Sequence, residues 1–122
     1  MDREIVDFRD KIEDKTIKVL ISTILAKVQL QKMKNILVSL KSCQYAEDPK
    51  SVSLLVNEIN KIAIQTGISI DFIDYSEELF SILKKLSVNT GITLYKNKEV
   101  ATLFIKVGAF QDDTKVLVFD ED

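Results

Sequence analysis

Histidine is absent from the 122 residues, which removes the commonest general base and metal ligand and the base of any Ser-His or Cys-His nucleophile pair. Carboxylates, lysines and one thiol remain as the chemical inventory. Asp113 and Lys115 have the acid-x-lysine spacing of some metal-dependent nucleases, with Asp112 beside them and Asp71 as a distant partner, and such sites need no histidine. Their setting is a turn ahead of a strand, where a solvated loop is the stronger reading. Asp120, Glu121 and Asp122 read as a soluble acidic tail.

Cys43 has no cysteine partner and reads as a small hydrophobe near the end of an apolar helix. No CxxC or Cys/His cluster offers a zinc site, and Gly67, Gly91 and Gly108 stand apart, so no glycine-rich phosphate loop is expected. These residues predict a protein that is not an enzyme, with no catalytic group, cofactor or metal.

Two other residue sets point to partners. Lys27, Lys34 and Lys41 recur every seven residues and, on one helix, would form a stripe with charges ~10 Å apart that could follow a phosphate backbone. Lys84, Lys85, Lys96 and Lys98 would extend it if the third helix and a following loop lay side by side. The second set is Leu30, Met33, Leu37 and Leu40, an apolar helical row that would serve as a protein interface.

The chain must be able to position these groups, and its length suits one domain burying roughly two-thirds of its unfolded surface. Apolar residues at 46% and charged residues at 30% describe an ordinary globular protein. Net charge is -2 but unevenly placed: residues 15–46 hold six lysines and no acid, whereas residues 1–14 and 111–122 are acidic. The charged N-terminus is unlike a signal peptide, and no apolar run approaches the ~20 residues of a membrane span, so an intracellular, cytoplasmic location without a membrane is expected.

The element reading is α+β. One long helix covers about 14–44, where neither glycine nor proline interrupts, with residues 4–12 a short helix before it or its continuation. Asp48 as N-cap and Pro49 as first residue start a second helix that Gly67 ends. Residues 68–73 alternate as a strand, and Asp74 or Ser76 caps a third helix over about 76–87. Residues 92–95, 100–107 and 115–119 are β-branched and aromatic, and predict a three-stranded antiparallel meander with hairpin loops at 96–99 and 108–114. The expected fold is thus a single domain over 1–122, helical to 67 and strand-rich after it.

Within the long segment the apolar face changes. Ile17, Leu20, Ile21, Ile24 and Val28 cluster on one side, while Ala26, Leu30, Met33, Ile36, Leu37 and Leu40 cluster on nearly the opposite one. Three arrangements produce this: a helix through the middle of a core, which is the simplest, a break near Gln29, or a second face that meets another chain. The favoured function is a non-catalytic interaction protein: a small subunit, adaptor or inhibitor acting through a helical surface, with another protein or a second copy as partner. The alternative is a nucleic-acid-associated protein, either a small helical subunit of a nucleic-acid-handling complex or a regulator resembling a winged helix, with residues 76–87 entering a groove and the hairpin as wing. Against the latter, no Arg, Asn or Gln lies between Ser76 and Val88 to read bases.

Overall fold

The computed structural model describes residues 3–45, 48–107 and 118–119, with side chains as far as Thr102. The expected antiparallel meander is replaced by an all-parallel sheet of β1 (Arg3–Asp7), β2 (Asn35–Ser39), β3 (Ser69–Ile73) and β4 (Leu94–Tyr95). The strands lie in sequence order, and the two-residue β5 (Val118–Phe119) pairs with β4, also in parallel. Helices α1 (Asp14–Gln31), α2 (Pro49–Thr66), α3 (Glu77–Leu86) and α4 (Lys98–Val107) alternate with the strands. Parallel neighbours need a crossover, and a helix is the usual one.

The long helix stops short. α1 opens on a capping box between Glu13 and Thr16 and closes at Lys32, whose backbone is left-handed at φ 54°. Residues 35–39 then form the strand β2, and residues 3–7 form β1 rather than a first helix. The apparent change of face has this cause. Ile36, Leu37, Val38 and Leu40 are all buried because β2 is covered on both sides, and a strand buried on both faces reads as an unbroken apolar run that helical periodicity absorbs.

α2 begins where the Asp48-Pro49 pair predicts: Lys50 N–H donates to Asp48 Oδ1 at 3.1 Å, and Gly67 ends the helix at φ 74°. α3 is capped by Ser76, which accepts the Leu79 N–H at 3.1 Å. Residues 100–107, expected as a strand after a hairpin loop at 96–99, are instead helical within α4, which starts at Lys98, with Asn97 Oδ1 accepting the Val100 N–H at 2.9 Å. Val100, Phe104 and Val107 recur at spacings of four and three, a helical period that their β-branched and aromatic types disguise. Of the expected strand 115–119 only Val118 and Phe119 are described, and the loop 108–114 lies outside the described residues.

The sheet divides two apolar clusters. Val6, Ile36, Val38, Ile70, Phe72 and Leu94 meet the buried stripes of α1, α2 and α3 in the larger. Leu37, Ile73 and Tyr95 meet Ala101 of α4 on the other face. Strand side chains alternate between faces, so Arg3, Ile5, Asp7, Asn35, Ser69 and Asp71 belong to the α4 face. Burial on both sides makes β2 and β3 the centre of the sheet and, among the described residues, leaves β1 at an edge.

Candidate interaction surface

The predicted apolar row does not exist as a surface. Met33 and Leu40 join the core beneath α1 to α3, and Leu37 points to the α4 side. Only Leu30, 81% exposed near the end of α1, remains at the surface.

The lysines separate as well. Lys27 is bound to Glu4 of β1 at 2.6 Å in a half-buried ion pair. Lys34 precedes β2 and Lys41 follows it, which puts their backbones about 23 Å apart for a seven-residue extended span. Lys84 and Lys85 lie in the last turn of α3, with Lys84 Nζ 5.8 Å from the Phe80 ring centroid. Lys96 and Lys98 flank the start of α4, on the opposite face of the sheet from α3. The stripe therefore dissolves, because its spacing had meaning only on one continuous helix.

In open parallel sheets ligands bind beyond the carboxyl ends of the strands. There the segments after β1 and β2 are tied by Ile12 N–H donating to Gln44 O at 3.1 Å and Gln44 N–H donating to Asp10 O at 3.0 Å. A cleft of about 350 Å³ lies beside them, lined by residues that include Lys11, Glu13, Asp48, Lys50 and Ser51. It opens onto the first turns of α1 and α2, the natural seats of an anion. Those seats are filled by the chain's own carboxylates, Glu13 and Asp48. Further along, Ser39 Oγ donates to Asp74 Oδ2 at 2.9 Å, and Asp74 N–H closes on Lys96 O at 3.1 Å, so the gap between the β3 and β4 exits is taken up by backbone.

A polar network that the sequence reading missed lies under α4. Asp71, 3% exposed, accepts the Thr93 N–H at 2.8 Å, Ser69 Oγ–H at 3.2 Å and an Asn35 Nδ2–H at 3.4 Å. Burial raises its carboxyl to about 6, against the lowering pull of these hydrogen bonds and of Arg3. Arg3 Nε donates to Asn35 Oδ1 at 2.7 Å and Nη1 to Thr102 Oγ1 at 3.0 Å, while the buried Nη2 has no partner. Alongside is a cleft of about 490 Å³ bordered by Arg3, Ile5, Met33, Lys98 and Thr102. The network ties β1 through β4 together across the sheet. Asp71 is closed off by its donors, and Asp112, Asp113 and Lys115, the other members of the acid-x-lysine set, lie outside the described residues.

Cys43 stands in the β2–α2 connection rather than on a helix, and burial raises its thiol to about 11, so it stays protonated at neutral pH. Among the described residues, no group of three or more His, Cys, Asp or Glu side chains could hold a metal, and no helix is long and apolar enough to cross a membrane.

The outer face of α1 is unusual in another way. Val19, 61% exposed, Thr23, Ala26 and Leu30 follow at spacings of four, three and four, which keeps them within about 60° of one another around the axis. Ser22 and Gln29 flank them. Exposed faces of surface helices normally carry charge, yet between Val19 and Gln31 the only charged residue is Lys27, which turns to Glu4. The row is visible in the sequence once α1 is known to end at Gln31. No protein-family model matches the chain, and no curated protein is similar enough to count as a relative.

Proposed function

We propose that the protein is a non-catalytic interaction protein, a small subunit, adaptor or inhibitor that presents the outer face of α1 to another protein within a complex. The observation that carries this reading is the uncharged row Val19, Thr23, Ala26 and Leu30 on an exposed helix. Its spacing is that of a helix-packing seam, and solvent contact gives no reason to keep charge away from it. The surface shares only Leu30 with the row expected from sequence. An intracellular, reducing setting suits the lone, protonated thiol of Cys43.

The test is affinity capture of the full chain from its own cells, wild type against the double variant Val19→Lys, Leu30→Glu. Both positions are solvent-exposed, so the fold should hold to within about 0.5 kcal/mol. A protein bound by wild type and lost with the double variant supports the reading. Capture that the double variant leaves unchanged removes it.

A further inference from the structure

We infer that the open edge of β1 and the outer face of α1 form one docking surface for a second copy of this chain, related by a twofold axis through Ile5. This inference rests on the interaction reading above and names the partner.

The edge itself selects the pairing. β1 has β2 as its one strand neighbour among the described residues. Phe8 N–H donates to Ser39 O at 3.0 Å, so by alternation Val6 and Glu4 also direct their backbone groups toward β2, while Arg3, Ile5 and Asp7 direct theirs outward. An antiparallel second β1 centred on Ile5 sets Ile5 against Ile5 and Arg3 against Asp7, twice. All of these become hydrogen-bonded pairs, and the two outer ones join opposite charges. Centring instead on Arg3 or Asp7 would oppose like charges.

The side chains of this edge suit that register. Arg3 is held by Asn35 and Thr102 with its Nη2 buried, so Asp7 of the second copy would meet it as an opposite charge across the strand pair and not through that nitrogen. Among the described residues Asp7 is engaged by exposed Arg9 alone, at 3.3 Å, a pair easily exchanged. Ile5 is 36% exposed beside the cleft that Arg3 and Met33 border, and the facing Ile5 would cover it.

The helix row falls on the same axis. The Lys27–Glu4 ion pair fixes where α1 lies over β1, and α1 runs antiparallel to β1 because β1 and β2 are parallel. One residue from Glu4 to Ile5 is about 3.3 Å, or roughly two residues back along the helix, near Leu25. The midpoint of the row Val19 to Leu30 lies between Ile24 and Leu25. Lys27 is within about 40° of Thr23 and about 60° of Leu30 around the axis, so these two lie nearest the β1 edge, while Val19 and Ala26, about 80° and 100° from Lys27, lie farther round the outer face.

Spacing agrees too. Two β1 strands would sit about 4.8 Å apart, and with each α1 over the gap between β1 and β2 the two helices come about 10 Å apart, a packing distance. In antiparallel alignment Val19 of one copy comes level with Leu30 of the other, and Thr23 with Ala26. The larger residues fall at the ends and the smaller ones in the middle, the self-complementarity that a twofold interface requires.

Size-exclusion chromatography with light scattering on the full chain should give twice the 13.9 kDa of one protomer. Ile5→Pro removes an outward N–H without touching the ladder to β2, and Asp7→Lys opposes Arg3 with a like charge; each should lose the dimer while keeping the circular dichroism spectrum. If Ile5→Pro fails to fold, exposed Asp7→Lys decides, together with hydrogen exchange. On dimerisation the amides of Arg3, Ile5 and Asp7 should slow, and those of Glu4 and Val6 should not change. A wild-type chain that stays monomeric, or a dimer that Asp7→Lys leaves intact, overturns the inference. A monomer whose Val19→Lys, Leu30→Glu variant still loses a different protein overturns the second copy and leaves the interaction function standing.

Discussion

Asp71 shows how a buried acid ties a sheet together at a cost that depends on pH. Its carboxyl lies near 6 in the folded protein against 3.8 when solvated, because burial outweighs its three donors. The folded state therefore holds this proton more tightly than the unfolded chain does. The stability it confers is full below the unfolded value and is lost as pH rises through the folded one, an effect on the order of 3 kcal/mol. Thermal unfolding followed from pH 4 to pH 7 should show stability falling over that window. In Asp71→Asn, which keeps an acceptor for the Thr93 N–H, this component of the slope should vanish. A slope that the substitution leaves unchanged would mean that other groups produce it.

Among the elements, the caps and the buried strand make the sharpest demands. Asp48 satisfies the first turn of α2, whose buried stripe of Val52, Leu55, Val56, Ile59 and Ile62 contributes much of the main core. Asp48→Ala should lower stability by about 1 kcal/mol, measured by urea unfolding. Leu37 separates two accounts of the chain, since a surface residue would tolerate truncation whereas a residue on the α4 side of β2 would not. Leu37→Ala should cost about 2–5 kcal/mol, with a matching fall in thermal midpoint. The start of α2, its end at Gly67, the strand at 69–73 and the cap of α3 are legible in the sequence because each is written in local chemistry. β1, β2 and α4 are not. The charges around Ile5 and Val6 mask a short strand, the run from Ile36 to Leu40 fits either period, and the side-chain types of α4 argue for the wrong one.

At the scale of the whole molecule, three helices cover one face of the sheet while α4 covers part of the other, and the β1 edge is left with no strand beside it among the described residues. An open edge bearing outward backbone groups is a standing invitation to another strand, and the neighbouring helix α1 carries an uncharged row on its outer face. Self-association through this edge should withstand added salt far better than a phosphate-binding surface would, since apolar and backbone contacts dominate it. Sedimentation at low and high ionic strength measures this, and dissociation of the dimer by moderate salt would count against such an interface.

The sequence by itself determined the chemical inventory, a single-domain size, an uneven placement of charge and those element boundaries that depend on a cap, a proline or a glycine. Only the tertiary structure decided the parallel order of the strands and the breaking of the supposed long helix. It also decided which apolar and basic residues share a surface. The physical reason is that caps and turns act over a few residues, whereas pairing and two-sided burial depend on segments some thirty residues apart, such as Ile5, Leu37 and Asp71, which the register sets side by side.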